Sequence, residues 1–229
     1  MDIRKHSKMF GVYTSGSPEK LKLYTKNLVS GSTVYGEKLI NFNTIEYREW
    51  DPFRSKIAAL ILEKPSDNFL NKGINCLYLG ASSGTTISHL SDIISDGIIY
   101  GVEFAERSIR QLIQNTSNRR NIVPILGDAR FPESYANQIF TEIDLIYQDV
   151  AQPNQAEIAI ANSNYYLKDE GLLIIAIKSQ SIDSITKSEK IYAQEKTILQ
   201  KAGYDVMESL NLHKYAANHL GLICKRRIT

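Results

Sequence analysis

Leu77 to Asp92, reading LYLGASSGTTISHLSD, changes its hydrophobic period midway, and that change decides the fold. Cys76 to Leu79 is a short apolar run that reads as a buried strand, whereas beyond Thr86 the residues Ile87, Leu90, Ile93 and Ile94 recur at helical spacing. The stretch is a strand, a tight turn and a helix. Small residues at the turn admit a ligand close to the backbone, and the first helical turn leaves amide N–H groups without intrahelical partners. An acidic residue about 20 positions on, at the end of the next strand, suits the hydroxyls of a ribose. Glu103 occupies that place.

The ligand class is narrowed by what the turn lacks. Gly80-Ala81-Ser82-Ser83-Gly84 carries side chains where a dinucleotide fingerprint needs bare backbone for a pyrophosphate. Gly84 is followed by Thr85-Thr86 and no lysine, so a Walker A loop is excluded as well. S-adenosylmethionine has a ribose, an adenine and a carboxylate for the helix N-terminus, and no phosphate. A tight strand-to-helix connection without a ligand has the same local signature.

Outward from this turn the chain alternates regularly. Strands are expected near 74–79, 98–103, 121–126, 143–149 and 171–177, with helices near 85–95, 105–116, 134–140, 154–167 and 184–202 between and after them. Nearly continuous apolar runs such as Leu172 to Ile177 indicate strands covered on both faces. Tyr204 to Leu212 and His219 to Lys225 are strand-like but too closely linked for a parallel crossover, so they form an antiparallel hairpin. The expected α/β fold is a doubly wound, mostly parallel, seven-stranded Rossmann-like sheet with an antiparallel C-terminal hairpin. It resembles the common methyltransferase sheet. Upstream, Met9 to Tyr13, Lys20 to Thr25 and Leu39-Ile40 are β-favouring pieces separated by Gly16, Gly31 and Gly36, and Glu46 to Pro52 leads into a helix that carries Lys56. This gives a small β-rich N-terminal domain over 1–53 and the α/β domain over 54–229.

Composition adds limits. The chain has 229 residues, 43% of them hydrophobic and 23% charged, as in ordinary globular proteins. No apolar run reaches membrane-spanning length and the start lacks a signal-peptide core, so no membrane association and a cytoplasmic location are expected. Cys76 and Cys224 fall in buried strands and read as reduced core residues; no cluster has metal-ligand spacing. The 27 Lys and Arg against 25 Asp and Glu leave only +2, little for a protein that grips nucleic acid unaided.

Ligands of open α/β sheets sit beyond the carboxyl ends of the strands. Those ends carry Gly80, Glu103, Asp128 shortly after the third strand, Asp149 and Lys178. Asp149 and Lys178 are expected to meet at the top of the sheet, as a chemical pair or as a structural ion pair. Asp128 also reads as a cap or turn residue, and Lys56 as an exposed helical lysine. Asp149-Val150-Ala151-Gln152-Pro153 is not the Asp/Asn-Pro-Pro-Tyr pattern of methyltransferases that act on exocyclic base nitrogens.

Arg54-Ser55-Lys56-Ile57-Ala58-Ala59, Leu77 to Thr86, Val102-Glu103-Phe104, Gly127-Asp128-Ala129-Arg130, Asp149 to Pro153 and Ile177-Lys178 together resemble fibrillarin in its archaeal fibrillarin-like form. That resemblance implies S-adenosylmethionine-dependent methylation of ribose 2′-hydroxyls in rRNA and tRNA. It places Gly80, Ala81, Thr85 and Thr86 around the methionine end of the cofactor, Glu103 and Phe104 at its ribose and adenine, and Asp128 and Ala129 beside the adenine. Asp149, Val150, Ala151 and Gln152 then close the site near the sulfonium. The family's catalytic Lys, Asp, Lys and His map onto Lys56, Asp149, Lys178 and His219. Asn218-His219 stands where the family usually has Asp-His, Asn154 replaces a commoner Asp, and His213 is a nearby rival to His219. The resemblance further implies assembly with a box C/D guide RNA, a Nop-domain scaffold protein and a kink-turn-binding ribosomal-type protein. The expected scaffold contact is the β-rich N-terminal domain and the surface beside it.

Overall fold

The computed structural model describes residues 2–227. Strands β1 (Arg4–Lys5), β2 (Val12–Ser15), β3 (Lys22–Lys26), β4 (Leu39–Phe42) and β5 (Ile45–Trp50) make an antiparallel sheet in the order β1-β2-β3-β5-β4. Two N-terminal expectations change. The strand expected at Met9 begins at Val12, after a turn at Gly11 with φ +71°, and Ile45–Trp50, read as an approach to a helix, is the strand between β3 and β4. Its charged residues hid the alternation, because Arg48 is fully buried in an ion-pair network.

Helix α1 (Lys56–Leu62) starts where Ser55 caps it, its Oγ accepting from the Ala58 amide at 3.4 Å. The α/β part follows with β6 (Cys76–Leu79), α2 (Thr85–Ile93), β7 (Ile99–Glu103), α3 (Glu106–Thr116) and β8 (Ile122–Leu126). A 3₁₀ segment over Pro132–Gln138 stands where the short helix was expected. Then come β9 (Ile143–Gln148), α4 (Gln155–Tyr166), β10 (Leu167–Lys178), α5 (Ser179–Ile182), α6 (Ser188–Lys201), β11 (Tyr204–Asn211) and β12 (His219–Arg226). The helix expected near 184–202 begins only at Ser188. Asp183 accepts from the amides of Ile185 and Thr186 and from the Thr186 hydroxyl, a local side-chain alternative to helical bonding that delays α6 to Ser188.

The seven strands run β11-β12-β10-β9-β6-β7-β8, with β12 antiparallel to both neighbours and the others parallel. The chain winds outward from β6 through β7 and β8, then returns to lay β9 on the other side of β6. The crevice of a doubly wound sheet therefore opens above β6 and β9. Cys76 and Cys224 are free and buried.

The two sheets share one core. Met9, Val12, Leu23 and Trp50 of the N-terminal part pack with Ile57 and Leu60 of α1 and with Ile87 and Leu90 of α2. A polar seam reinforces this contact. His89 of α2 meets Thr25 Oγ1 at 2.8 Å through Nδ1 and the Tyr35 hydroxyl at 2.7 Å through Nε2, and it stacks on Trp50 at 4.9 Å between centroids. Burial, then the charges of Arg48 and Arg119, holds His89 well below the usual histidine range. The unfolded chain therefore binds a proton near pH 6.5 that the folded chain refuses, so stability is full above that pH and declines below it. The expected decline is up to about 1.4 kcal/mol per pH unit between about 6.5 and the folded pKa. Urea unfolding at a series of pH values reads this slope, which His89→Gln should flatten while lowering stability at high pH. An unchanged slope in that variant would assign it to other groups.

Candidate active site

The turn after β6 is built by two glycines in left-handed conformation. Gly80 has φ +86° and a Cβ there would meet the Asp149 carbonyl oxygen at 2.4 Å, so β6 and β9 approach this closely only with glycine. Gly84, at φ +104°, is the N-cap of α2. Between them Ser82 also has positive φ, +50°, and its amide donates to Glu103 Oε2 at 2.8 Å. The Ala105 amide donates to Oε1 of the same carboxylate at 2.8 Å. Each Glu103 oxygen thus has one backbone donor and keeps accepting capacity toward a cavity lined by Gly80, Phe104, Ala129, Val150, Ala151 and Gln152.

A second cavity continues from the first, sharing Gly80, Ser82, Asp149, Val150 and Ala151 with it. Four chemically active side chains from four elements line it: Lys56 opens α1, Asp149 follows β9, Lys178 ends β10 and His219 begins β12. The strand register makes Lys178 and His219 direct cross-strand partners. Lys56 Nζ binds Asp149 Oδ2 at 2.9 Å, while Asp149 Oδ1 has no donor among the described residues. The buried rings of Tyr78 and Tyr147 lie at 4.6 Å beneath, and the Tyr147 hydroxyl points at Asp149 Oδ2 at 3.5 Å. Burial, and then the Asp149 charge, pushes both phenols well above their usual range, so they stay protonated beside the carboxylate.

His219 is oriented by its backbone neighbour. Its Nδ1–H donates to the Ala217 carbonyl at 2.7 Å, which leaves the lone pair on Nε2. Burial lowers its pKa; the Ala217 bond opposes this, and the charges of Lys56 and Lys178 add to the lowering. The imidazole is neutral at neutral pH. His213, its rival, is exposed and does not line the cavity.

The family model described as Fibrillarin matches residues 3–228. The chain belongs to the fibrillarin family. The fibrillarin-like rRNA/tRNA 2′-O-methyltransferase of Methanosarcina barkeri is 49% identical over 210 residues, covering 90% of this chain and 92% of the relative. Among solved structures, Aeropyrum pernix fibrillarin in complex with natively bound S-adenosyl-L-methionine is similar at TM-score 0.89 and 42% identity, covering 98% of each chain. The fibrillarin chain of a fibrillarin/Nop5p complex is similar at TM-score 0.84 and 38% identity, covering 96% of this chain and 100% of that one.

One expectation for this fibrillarin-family site needs correction. Asp149 pairs with Lys56, whose Nζ reaches the carboxylate from the start of α1, and not with Lys178. Lys178 has no carboxylate partner among the described residues. Gly127 and Ala129 line the first cavity on either side of Asp128. Arg130 holds the Asp128 carboxylate at 2.6 Å, and this bond, outweighing some burial, lowers its pKa. Thr85 and Thr86 do reach the second cavity, Thr86 also donating to Ser55 Oγ at 3.0 Å. Missed from the sequence were Tyr78, hidden in an apolar strand, and Gln155. Buried Gln155 accepts from the Lys178 amide at 2.8 Å and donates to the Lys178 carbonyl at 3.1 Å, fixing the strand end that presents the lysine. A buried amide on the first turn of α4, next to a strand end, is the signal that would have found it.

Proposed function

We infer that this chain transfers a methyl group from S-adenosylmethionine to ribose 2′-hydroxyls of rRNA and tRNA, directed by a box C/D guide RNA. The observation that carries this reading is the convergence of Lys56, Asp149, Lys178 and His219 on one cavity that runs into a ribose-suited carboxylate site.

The residues present fit the cofactor. Glu103 has acceptors left for ribose hydroxyls, the helix start at Thr85 and Thr86 suits a carboxylate, and exposed Phe104 offers a face for adenine. Gln152 Oε1 lines the same cavity, is buried and lacks a partner, as expected of an acceptor reserved for a ligand donor. When bound, S-adenosylmethionine supplies an electrophilic methyl group on sulfur. The chain then has to hold a 2′-oxygen in line with it and remove the hydroxyl proton, and alignment of this kind contributes about 7–11 kcal/mol. Lys178, with no carboxylate to neutralise it, stabilises charge developing on that oxygen. Asp149 Oδ1 and His219 Nε2 are the two acceptors available to the proton, and Lys56 fixes the Asp149 carboxylate.

Nothing in this cleft reads a base, and the near-neutral charge gives little unaided grip on RNA. Guide pairing therefore selects the nucleotide, and a Nop-domain scaffold with a kink-turn-binding protein holds the enzyme there; the similar fibrillarin solved with Nop5p supports the scaffold. The test is transfer of labelled methyl to guide-paired RNA carrying 2′-OH or 2′-deoxy at the target, with and without scaffold and kink-turn protein. Transfer is expected in the full assembly and only to the hydroxyl. Transfer to the deoxy substrate, or none in a verified assembly, would overturn the reading.

A further inference from the structure

A groove of about 450 Å³ lies beside the catalytic cavity, between the N-terminal sheet and the loop before β12, and Arg54 lines both. Two of its aromatic residues, Phe53 and Tyr215, come from the same two loops that deliver catalytic-cavity residues. Phe53, 68% exposed, sits on the loop that leads to Lys56, and Tyr215 sits on the loop that leads to His219. The two rings meet edge to face at 5.5 Å between centroids. Each loop also carries a cation. Arg54 lies 4.7 Å above the Tyr35 ring and donates to the Tyr35 carbonyl at 3.2 Å, and Lys214 lies 5.1 Å above Tyr215.

The groove keeps a small cationic excess once its internal pairs are removed. Glu37 and Glu49 are bound by Arg48 and Lys22, and Asp51 accepts from the Phe53 amide at 2.9 Å. Glu19 and Asp51, whose amide bond leaves its charge in place, then stand against Lys38, Arg54 and Lys214, none of which has a carboxylate partner among the described residues. The exposed Phe53 ring, resting on half-buried Tyr215 and flanked by Arg54 and Lys214, suits a polyanion with apolar sugar faces.

We propose that this groove binds the sugar–phosphate backbone of the substrate RNA next to the methylated nucleotide. Arg54 and Lys214 take the flanking phosphate, and Phe53 with Tyr215 forms the floor for the adjoining ribose. The proposal rests on the methyltransferase reading above. A strand that leaves the catalytic cavity toward this groove passes Arg54, because that residue walls both spaces. Contacts to backbone alone ignore sequence, which suits an enzyme whose target is chosen by a guide. They fix the register of the ribose, and register controls rate even when pairing already saturates binding.

The experiment uses the assembled guide complex under single-turnover, saturating conditions, with Lys214→Ala and with substrates bearing an uncharged methylphosphonate at either linkage flanking the target. Lys214→Ala is expected to slow transfer about 10-fold, the loss of one charge-assisted hydrogen bond. Methylphosphonate at one of the two linkages should slow the unaltered enzyme at least as much, because it removes the Arg54 contact as well, and adding Lys214→Ala should then cost nothing further. Cofactor affinity and assembly should not change. Independent, multiplying effects or an unchanged rate would overturn the proposal. Release of the variant from the scaffold protein would overturn it too, by making the groove a protein interface. Absence of transfer by the unaltered enzyme would instead overturn the methyltransferase reading and this subsite with it.

Discussion

Lys178→Met should slow methyl transfer by about 10²–10³-fold, the usual cost of removing a donor aimed at developing negative charge. Cofactor affinity should stay nearly unchanged. Three features single out this lysine. It ends β10 at the catalytic cavity, Gln155 grips its backbone from both sides, and it is the ammonium there that no carboxylate neutralises, since Asp149 is held by Lys56. Single-turnover transfer at saturating cofactor and guided RNA separates this loss from binding. The pH profile separates two roles: with Lys178 as an electrostatic group the variant loses amplitude and keeps the shape of the profile, whereas a changed shape would make Lys178 the base. A variant that transfers at the unaltered rate would remove Lys178 from the reaction under either role.

Much of this site is legible in the sequence because strand ends are. Each of Gly80, Glu103, Asp149 and Lys178 closes an apolar run, and a doubly wound sheet carries the carboxyl ends of its parallel strands to one edge. Pairing among those residues is less legible. Asp149 and Lys178 end adjacent strands, so sequence order joins them, but the Asp149 carboxylate is reached first by Lys56, from a helix start more than ninety residues earlier, |i−j| = 93. The choice between His213 and His219 depended on strand register, which places His219 opposite Lys178 and leaves His213 exposed. Asp128 shows the opposite limit. Its motif matches the family, yet a local partner two residues away takes its carboxylate, and spacing alone does not weigh that competition.

Strand β5 was illegible for a physical reason that is itself testable. A strand with Glu46, Arg48 and Glu49 reads as surface, and Arg48 is nonetheless fully buried. Its guanidinium binds Glu37 at 2.5 Å, Asp92 at 2.7 Å and the Ser88 hydroxyl at 2.8 Å, tying β5 to α2. Arg48→Met should cost about 3–5 kcal/mol, because removing one partner leaves buried charge behind. The loss falls mainly on Glu37. Asp92 keeps Arg119 at 2.6 Å and Thr25 at 2.7 Å, whereas Glu37 keeps only backbone donors at Val34 and Tyr35. Burial pushes Glu37 upward in pKa and Arg48, helped by those amides, brings it below its usual value. Without Arg48 burial prevails, the carboxyl takes up a proton more readily in the fold than in the unfolded chain, and the penalty should shrink as pH falls toward the carboxylate range. Adding Glu37→Gln should restore part of the stability at neutral pH, since the orphaned charge goes with it. Urea unfolding of the single and double variants at neutral and acidic pH measures all three effects. A loss below about 1 kcal/mol would mean that the buried ion pair contributes no more than a surface one. Because the shared core and the His89 seam join the N-terminal sheet to α2, both halves should unfold in one transition, and Arg48→Met should move that transition as a whole. Two separate transitions would show that the N-terminal sheet is held by its own small core, Ile3, Tyr24 and Tyr47, and that the seam at α2 serves the cofactor turn alone.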